Sequence, residues 1–151
     1  MLKNIDPLLS PELLKVLCEM GHGDEIVLAD ANFTAESLGR GGIVLRLPGV
    51  SMRRACAAVL SVLPLDGMVA QPVAYMQVGD TPVGYQSALQ REVIGDMVAG
   101  ANGRADQCEA TERFAFYERV KGAYAIVQTG ELQAWANFLF KKGVIAEELR
   151  P

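Results

Sequence analysis

The chain has little of the residue types that metal sites and disulfide frameworks need. Its 151 residues include one histidine and three cysteines, Cys18, Cys56 and Cys108. The cysteines are odd in number, widely spaced and form no C-x-x-C pair, so neither a disulfide framework nor a zinc site is predicted. Free thiols are typical of a reducing compartment, and we therefore expect a cytoplasmic protein.

Several other features are missing, and each absence excludes a class of function. The net charge of −4 comes with no basic stripe, so a nucleic-acid partner is not expected. No stretch of about 18 apolar residues occurs and the N-terminus lacks a basic region before an apolar core, so neither a membrane span nor a targeting segment is predicted. Phosphate loops, nucleophile elbows and dinucleotide fingerprints are also absent, since "GRGG" lacks the required spacing.

What the sequence does contain is enough apolar material for one domain. Half of the residues are hydrophobic, and a chain of this length can bury roughly 70% of the surface that it exposes when unfolded. Repeats and linkers are not apparent, and "VAGANGRADQCEATE" is interpreted as a surface connection. Residues 1–151 are therefore predicted to form a single domain.

Apolar periodicity predicts an alternation of helices and strands. Ser10 and Ser51 are predicted helix N-caps, and "YQSALQREVIGDMVA" has helical spacing. "EIVLA" is typical of a strand buried on both faces, and "IVLRL", "PVAYMQV" and "AYAIVQTG" also predict strands. "RFAFYERVKGA" allows a helix or a loop, and "WANFLFKKGVI" fits a strand without excluding a helix. The prediction is a three-layer α/β/α fold with a mainly parallel sheet, which binds ligands at the carboxyl ends of its strands.

The single histidine, His22, lies in "EMGHGDEIVLAD" between two glycines. One interpretation is that His22 caps the preceding helix, where the dipole and the free carbonyls favour an imidazolium. One glycine suffices for such a cap, so Gly23 favours a second interpretation, in which the backbone is closely approached or the imidazole is left uncovered. Asp24 and Glu25 are not at a ligand spacing that would support a metal site.

Asp30 follows the strand that His22 precedes, which places the two about 15 to 20 Å apart within one chain. A second polar cluster, "TERFAFYERVKGAY", contains Arg113 and Tyr117, although an amphipathic surface segment would explain it equally well. Trp135 in "WANF" could likewise be a packed ring.

Three blocks of the chain, "SPELLKVLCEMGHGDEIVLADANF", "RFAFYERVKGAYAIVQTGE" and "ANFLFKKGVI", resemble the fucose mutarotase and ribose pyranase family, and "RFAFYER" is closer to the fucose branch. The resemblance covers nearly the whole chain, with least support between residues 39 and 106. It implies an enzyme that interconverts the anomers of a free monosaccharide without a cofactor. It also implies a ring-like homo-oligomer, with a decamer as one candidate, whose sites lie near subunit boundaries.

The resemblance also assigns residues. His22 matches the family's catalytic histidine, Asp30 and Arg113 match sugar-binding positions, and Tyr117 matches the tyrosine of a Phe-Tyr-Glu-Arg stretch. Asn137 falls on the asparagine of a Tyr-Gly-Asn or Tyr-Ala-Asn motif.

Trp135 departs from this pattern because it stands where the family has tyrosine. An indole can stack on a sugar face and donate through its N–H, but it cannot relay a proton as a phenol can. The replacement leaves the sugar open between fucose, ribose and related molecules.

Anomer exchange requires only that one proton reach the ring oxygen while another leaves the anomeric hydroxyl, so one acid and one base suffice. His22 is the predicted acid/base and Tyr117 the second proton carrier, while Asp30, Arg113, Trp135 and Asn137 would hold the sugar. A binding or transport-accessory protein without turnover is the alternative that the tryptophan keeps open. Oligomerisation is also expected because "WANFLF" would be a liability as an open sheet edge.

Overall fold

The computed structural model describes residues 2–100 and 102–147. Within these residues the chain forms six strands, five α-helices and one short 3₁₀ helix, Ala105–Gln107. In chain order the main elements are α1 Pro11–Glu19, β1 Glu25–Ala29, α2 Ala35–Gly39, β2 Ile43–Leu47, α3 Met52–Leu60, β3 Val73–Met76, α4 Ala88–Ala99, β4 Cys108–Thr111, α5 Arg113–Val120, β5 Ala125–Thr129 and β6 Phe138–Lys141.

The strands form one six-stranded sheet in the order β2-β5-β1-β6-β3-β4. β1 and β2 both pair with β5 in parallel, and β3 pairs with β4 in parallel. β6 is antiparallel to both of its neighbours, β1 and β3. Five strands thus point in one direction around a single reversed strand, which confirms the predicted mainly parallel sheet.

Two hydrophobic clusters cover the two faces of this sheet and give the fold its three layers. One cluster joins the sheet to α1, α3 and α4, and the other joins it to α2 and α5. Along β1, Ile26 and Leu28 belong to the first cluster while Val27 belongs to the second. The prediction that β1 is buried on both faces is confirmed.

Local sequence signals set the starts of the long helices. The Ser10 hydroxyl accepts a hydrogen bond from Leu13 N at the start of α1, and Ser51 does the same for Arg54 N in α3. These bonds satisfy amide groups that have no partner within the helix. Both predicted N-caps are confirmed, and "RFAFYERV" is a helix rather than a loop.

Two predictions about the sheet edges are wrong. The stretch interpreted as a surface connection contains β4, an edge strand whose sequence, "CEAT", is too short and too polar to stand out as a strand. β6 does form a strand, but it lies between β1 and β3 and is not an open edge. The edge argument for oligomerisation therefore does not apply to "WANFLF".

Candidate active site

A pocket of about 170 Å³ opens at the edge of the sheet where β1 and β3 end. This is the carboxyl edge of the parallel strands, where ligand sites are expected. Because β6 runs in the opposite direction, its first residues lie at the same edge. The pocket is lined by Asp30, Asn32, Phe33, Met76, Arg113, Tyr117, Ala134, Trp135 and Asn137. Five of the six site residues that the sequence predicts therefore come together here.

The floor of the pocket is a buried pair, Asp30 and Asn137. Asp30 N donates to Asn137 Oδ1 at 2.8 Å, and Asn137 Nδ2 donates back to Asp30 Oδ2 at 3.0 Å. Asn32 N donates to the other carboxylate oxygen at 2.9 Å. Burial raises the pKa of Asp30 above its ordinary value, although these hydrogen bonds act in the opposite direction. Asn137 therefore fixes the orientation of the carboxylate, whose remaining lone pairs can accept sugar hydroxyls.

Arg113 and Tyr117 come from the first turn and a half of α5, where their i, i+4 spacing puts them on one face. Arg113 Nε donates to the Tyr117 hydroxyl at 3.2 Å, and the guanidinium lies 5.4 Å from the centre of the phenol ring. The phenol oxygen accepts this bond, so its own O–H remains available as a donor. Among the residues that the structure describes, no carboxylate forms an ion pair with Arg113.

Trp135 stands at the pocket with a backbone conformation that is unusual for its size. Its φ angle is +66°, in the left-handed region that bulky residues rarely adopt. Its carbonyl oxygen accepts a hydrogen bond from Gln90 Nε2 at 3.3 Å, and the same amide donates to Met76 O at 2.8 Å. Gln90 is fully buried, so a group inside the core holds this part of the pocket wall in place.

His22 is the predicted site residue that does not reach the pocket. It precedes β1 while Asp30 follows it, so the two lie at opposite ends of the strand. His22 Nε2 is 3.2 Å from Oδ1 of Asp66, a carboxylate that is almost fully buried, while the imidazole itself is 41% exposed. A hydrogen bond from Met68 N and the contact with His22 hold the pKa of Asp66 below its ordinary value. The imidazole is thus oriented by the protein and still open to solvent.

The helix-cap interpretation of His22 is wrong because another residue performs that role. Lys142 Nζ donates to the carbonyl oxygens of Leu17 and Met20, each at 2.6 Å, and so satisfies the C-terminus of α1. Gly23 has a φ angle of +85°, which explains the second glycine by turn geometry rather than by a close backbone approach. The expectation that the imidazole is left uncovered agrees with its exposure.

In residues 2–100 and 102–147, no three histidine, cysteine or carboxylate side chains lie together as potential metal ligands. Over the same residues, no helix has both the length and the apolar character that crossing a bilayer requires.

Two residues with clear roles at the site were not predicted from the sequence. Asp66 occurs in "LDGMV", where Asp-Gly signals only a turn, and its contact with His22 spans a large part of the chain. Gln90 resembles an ordinary helix residue in the sequence. Its position three residues after Ser87 suggests only a helix-capping role, which its bond with Ser87 N fulfils. A glutamine among apolar residues on the buried side of α4 could have marked it as a buried polar group.

The pocket combines a buried carboxylate, a guanidinium, a phenol and an indole. Such a set suits a small, uncharged ligand that is rich in hydroxyl groups and has one apolar face, because aromatic rings pack on the face while polar groups bind hydroxyls. The volume is below the roughly 300 to 1,000 Å³ of pockets for drug-sized ligands. These features define a monosaccharide-sized binding site.

Similarity to known proteins agrees with this class. Residues 3–145 match the RbsD / FucU transport protein family, and the chain belongs to that family. It is 47% identical over 146 residues to an L-fucose mutarotase of Glaesserella parasuis, covering 95% of this chain and 96% of the relative. It is 43% identical over 148 residues to a human fucose mutarotase, covering 96% of this chain and 95% of the relative.

A solved structure shows the same fold with a sugar bound. The fucose mutarotase of Streptococcus pneumoniae in complex with L-fucose superposes with a TM-score of 0.84 at 39% identity, covering 96% of this chain and all of that one. The family and the α/β fold predicted from the sequence are therefore confirmed.

Proposed function

We propose that the protein interconverts the α and β anomers of a free monosaccharide, L-fucose or a related sugar, without a cofactor. The observation that carries the proposal is the pocket itself, in which Asp30, Arg113, Tyr117, Trp135 and Asn137 converge although they come from distant parts of the chain. The names of relatives with more than 40% identity, L-fucose mutarotase and fucose mutarotase, support the same activity.

The pocket residues divide the task of holding the sugar. Asp30, oriented by Asn137, accepts hydrogen bonds from sugar hydroxyls. The N–H groups of Arg113 other than Nε donate to a sugar oxygen and stabilise negative charge that develops during the reaction. Trp135 packs its ring on the apolar face of the sugar.

His22 supplies the acid/base chemistry in this proposal. Ring opening moves a proton from the anomeric hydroxyl to a base and another from an acid to the ring oxygen, and closure on the other face of the aldehyde reverses both transfers. Histidine suits this task since its unperturbed pKa of about 6.5 makes both forms available near neutral pH. In this proposal Asp66, which contacts the imidazole, keeps it oriented, and the Tyr117 hydroxyl carries the second proton.

We further propose that His22 acts on the pocket of a second copy of the chain. Within one chain β1 separates His22 from Asp30, so a single subunit has only half of the machinery. Both halves carry an exposed apolar side chain: Phe114, whose ring contacts that of the pocket residue Tyr117, is 65% exposed, and Met68, whose amide bonds Asp66, is 74% exposed. Burying such side chains against each other favours association, which supports the ring-like homo-oligomer implied by the family resemblance.

NMR exchange spectroscopy on free sugars tests the function directly. Cross-peaks between the α and β anomer signals of L-fucose should grow when the protein is added, and should grow less for sugars that fit the pocket poorly. An exchange rate that stays at the uncatalysed value for every sugar tested would refute catalysis.

Binding without turnover is the second candidate, and Trp135 is the observation that favours it, because an indole cannot relay a proton. The same samples distinguish the two functions. Line broadening or chemical-shift changes of a sugar without faster anomer exchange would identify a binding protein.

A further inference from the structure

Gly79 lies directly against the ring of Trp135. A Cβ atom added at Gly79 would be 3.0 Å from both Cη2 and Cζ2 of the indole. The most favourable separation of two carbon atoms is about 3.5 to 4.0 Å, so a methyl group fits here only if the indole gives way by a few tenths of an ångström. The φ angle of Gly79 lies outside the left-handed region, so its backbone is open to other residues. Glycine at this position is therefore explained by its contact with the indole and not by its backbone conformation.

Trp135 also lines two cavities. One is the pocket with Asp30, and the other is a cavity of about 420 Å³ whose wall includes Gly79, Arg113 and Trp135. Buried Gln90 donates a hydrogen bond to the Trp135 carbonyl oxygen and so fixes the backbone, whereas the ring can still rotate about its side-chain bonds. The position of the ring in the pocket wall therefore depends on what touches its edge.

We propose that Gly79 is a positioning residue that sets where the Trp135 ring stands in the sugar pocket. The proposal rests on the proposed function, in which that ring packs on the sugar. Gly79 and Trp135 form a matched pair, because the benzo ring of the indole occupies its observed position without strain only when residue 79 has no side chain. The tyrosine expected at position 135 from the family pattern has no fused second ring.

The test begins with Gly79→Ala. The added methyl group forces the indole to tilt or shift, which weakens ring packing on the sugar. We expect KM to rise more than about twofold and at most roughly 12-fold, since 12-fold corresponds to losing all of about 1.5 kcal/mol of aromatic packing. The catalytic constant should change little because packing holds the sugar in both the ground state and the transition state.

A second readout follows the ring without any sugar. Trp135 is the only tryptophan in the chain, so intrinsic fluorescence reports on this ring alone. In Gly79→Ala, both the emission spectrum and quenching by acrylamide should differ from those of the parent. Gly95→Ala is the matched control, because a Cβ at Gly95 meets nothing within 4 Å and Gly95 lies in α4 away from the indole.

A double-mutant cycle separates positioning from general damage to the fold. Phenylalanine at position 135 lacks the two indole atoms that the new methyl group would meet. In the Trp135→Phe background, Gly79→Ala should therefore change KM by less than about twofold. The same fold-increase in KM in both backgrounds would overturn the proposal, and so would parental KM and fluorescence in Gly79→Ala.

The results also separate this proposal from the proposed function. A parent protein that exchanges no sugar anomers refutes the function, while the fluorescence of Gly79→Ala still decides whether Gly79 sets the position of the ring. A parent that exchanges anomers, together with a Gly79→Ala protein indistinguishable from it, refutes only the positioning role.

Discussion

Replacing His22 by glutamine should abolish most of the catalysis while leaving the fold intact. Glutamine can still donate a hydrogen bond to Asp66, but it cannot exchange a proton near neutral pH. Loss of one general acid/base group lowers the rate by roughly 10² to 10⁴. Sugar affinity should change little, because the side chains that line the pocket of the same subunit are not affected.

The structure also predicts how stability should respond. A capping histidine would contribute about 0.3 to 2 kcal/mol to its helix. Here Lys142 makes the capping bonds to the carbonyl oxygens of Leu17 and Met20. Lys142→Met should therefore lose this stability, whereas His22→Gln should not. For a chain of this length such a loss lowers Tm by roughly 1 to 8 °C. The two variants should therefore show opposite patterns, one losing exchange and the other losing stability.

The assay pairs two measurements on the same samples. Anomer exchange is measured by NMR at saturating L-fucose, where the rate reports on chemistry rather than on binding. Thermal unfolding is followed by circular dichroism, which reports the loss of helices and strands. Asp66→Asn provides an intermediate case, since its amide oxygen can still accept a bond from the imidazole but the charge is gone. Its exchange rate should lie between those of the parent and His22→Gln.

One combination of results would refute this reasoning. If His22→Gln exchanged anomers at the parental rate, the imidazole would have no catalytic role, whatever its melting temperature. If instead it melted several degrees below the parent while Lys142→Met did not, the assignment of the helix cap to Lys142 would be wrong.

Three further predictions concern the ring, an ion cluster and assembly. Trp135→Ala should raise the Kd for sugar, measured by calorimetry, roughly 2- to 12-fold. The Kd of Trp135→Phe should stay closer to that of the parent. Arg119→Met should lower the free energy of unfolding in urea by about 1 to 3 kcal/mol, because it strips bonds from Glu25 and Glu109 and leaves only Lys141 beside the nearly buried Glu25. Burial acts to raise the pKa of Glu25, but bonds from Arg119 and Lys141 outweigh burial and leave the pKa lowered. The stability contributed by this ion cluster should therefore be lost as the pH falls below about 4.3, the ordinary pKa of glutamate. An unfolding free energy that did not change with pH below this value would contradict the prediction. Light scattering at micromolar concentration should report a mass well above 16.3 kDa, whereas a stable monomer would rule out the shared site.

The parts of the fold that the sequence predicts are those set by local patterns. Ser10 and Ser51 mark the starts of their helices because each side chain bonds an amide within the first turn. β1 is recognisable from its apolar run alone. The carboxyl end of β1 then locates Asp30 at the ligand edge, because parallel strands share that edge. The location of the pocket was predictable for this reason. Arg113 and Trp135 were predicted as part of it only from the family resemblance.

Contacts between distant segments could not be predicted in the same way. Asp66 and His22 are 44 positions apart in the chain, and Gln90 and Trp135 are 45 positions apart. Neither contact leaves a periodic pattern, because each depends on how distant segments meet in the folded protein. The strand β4 escaped detection for a related reason, since an edge strand is half exposed and carries no continuous apolar run.

The reversed strand β6 is what connects the two halves of the proposed machinery. Its first end presents Asn137 to the pocket, since an antiparallel strand begins where its parallel neighbours finish. Its C-terminal end binds the turns that carry His22 and Asp66. Gly23 N donates to the carbonyl oxygen of Lys142 at 2.8 Å, and Asp66 N donates to that of Lys141 at 3.1 Å. A register shift of β6 by one residue would turn its side chains to the opposite face and displace Asn137 and the His22 turn together. The pairing of Leu28 with Phe138 therefore fixes the positions of both the Asn137 end and the His22 end of β6.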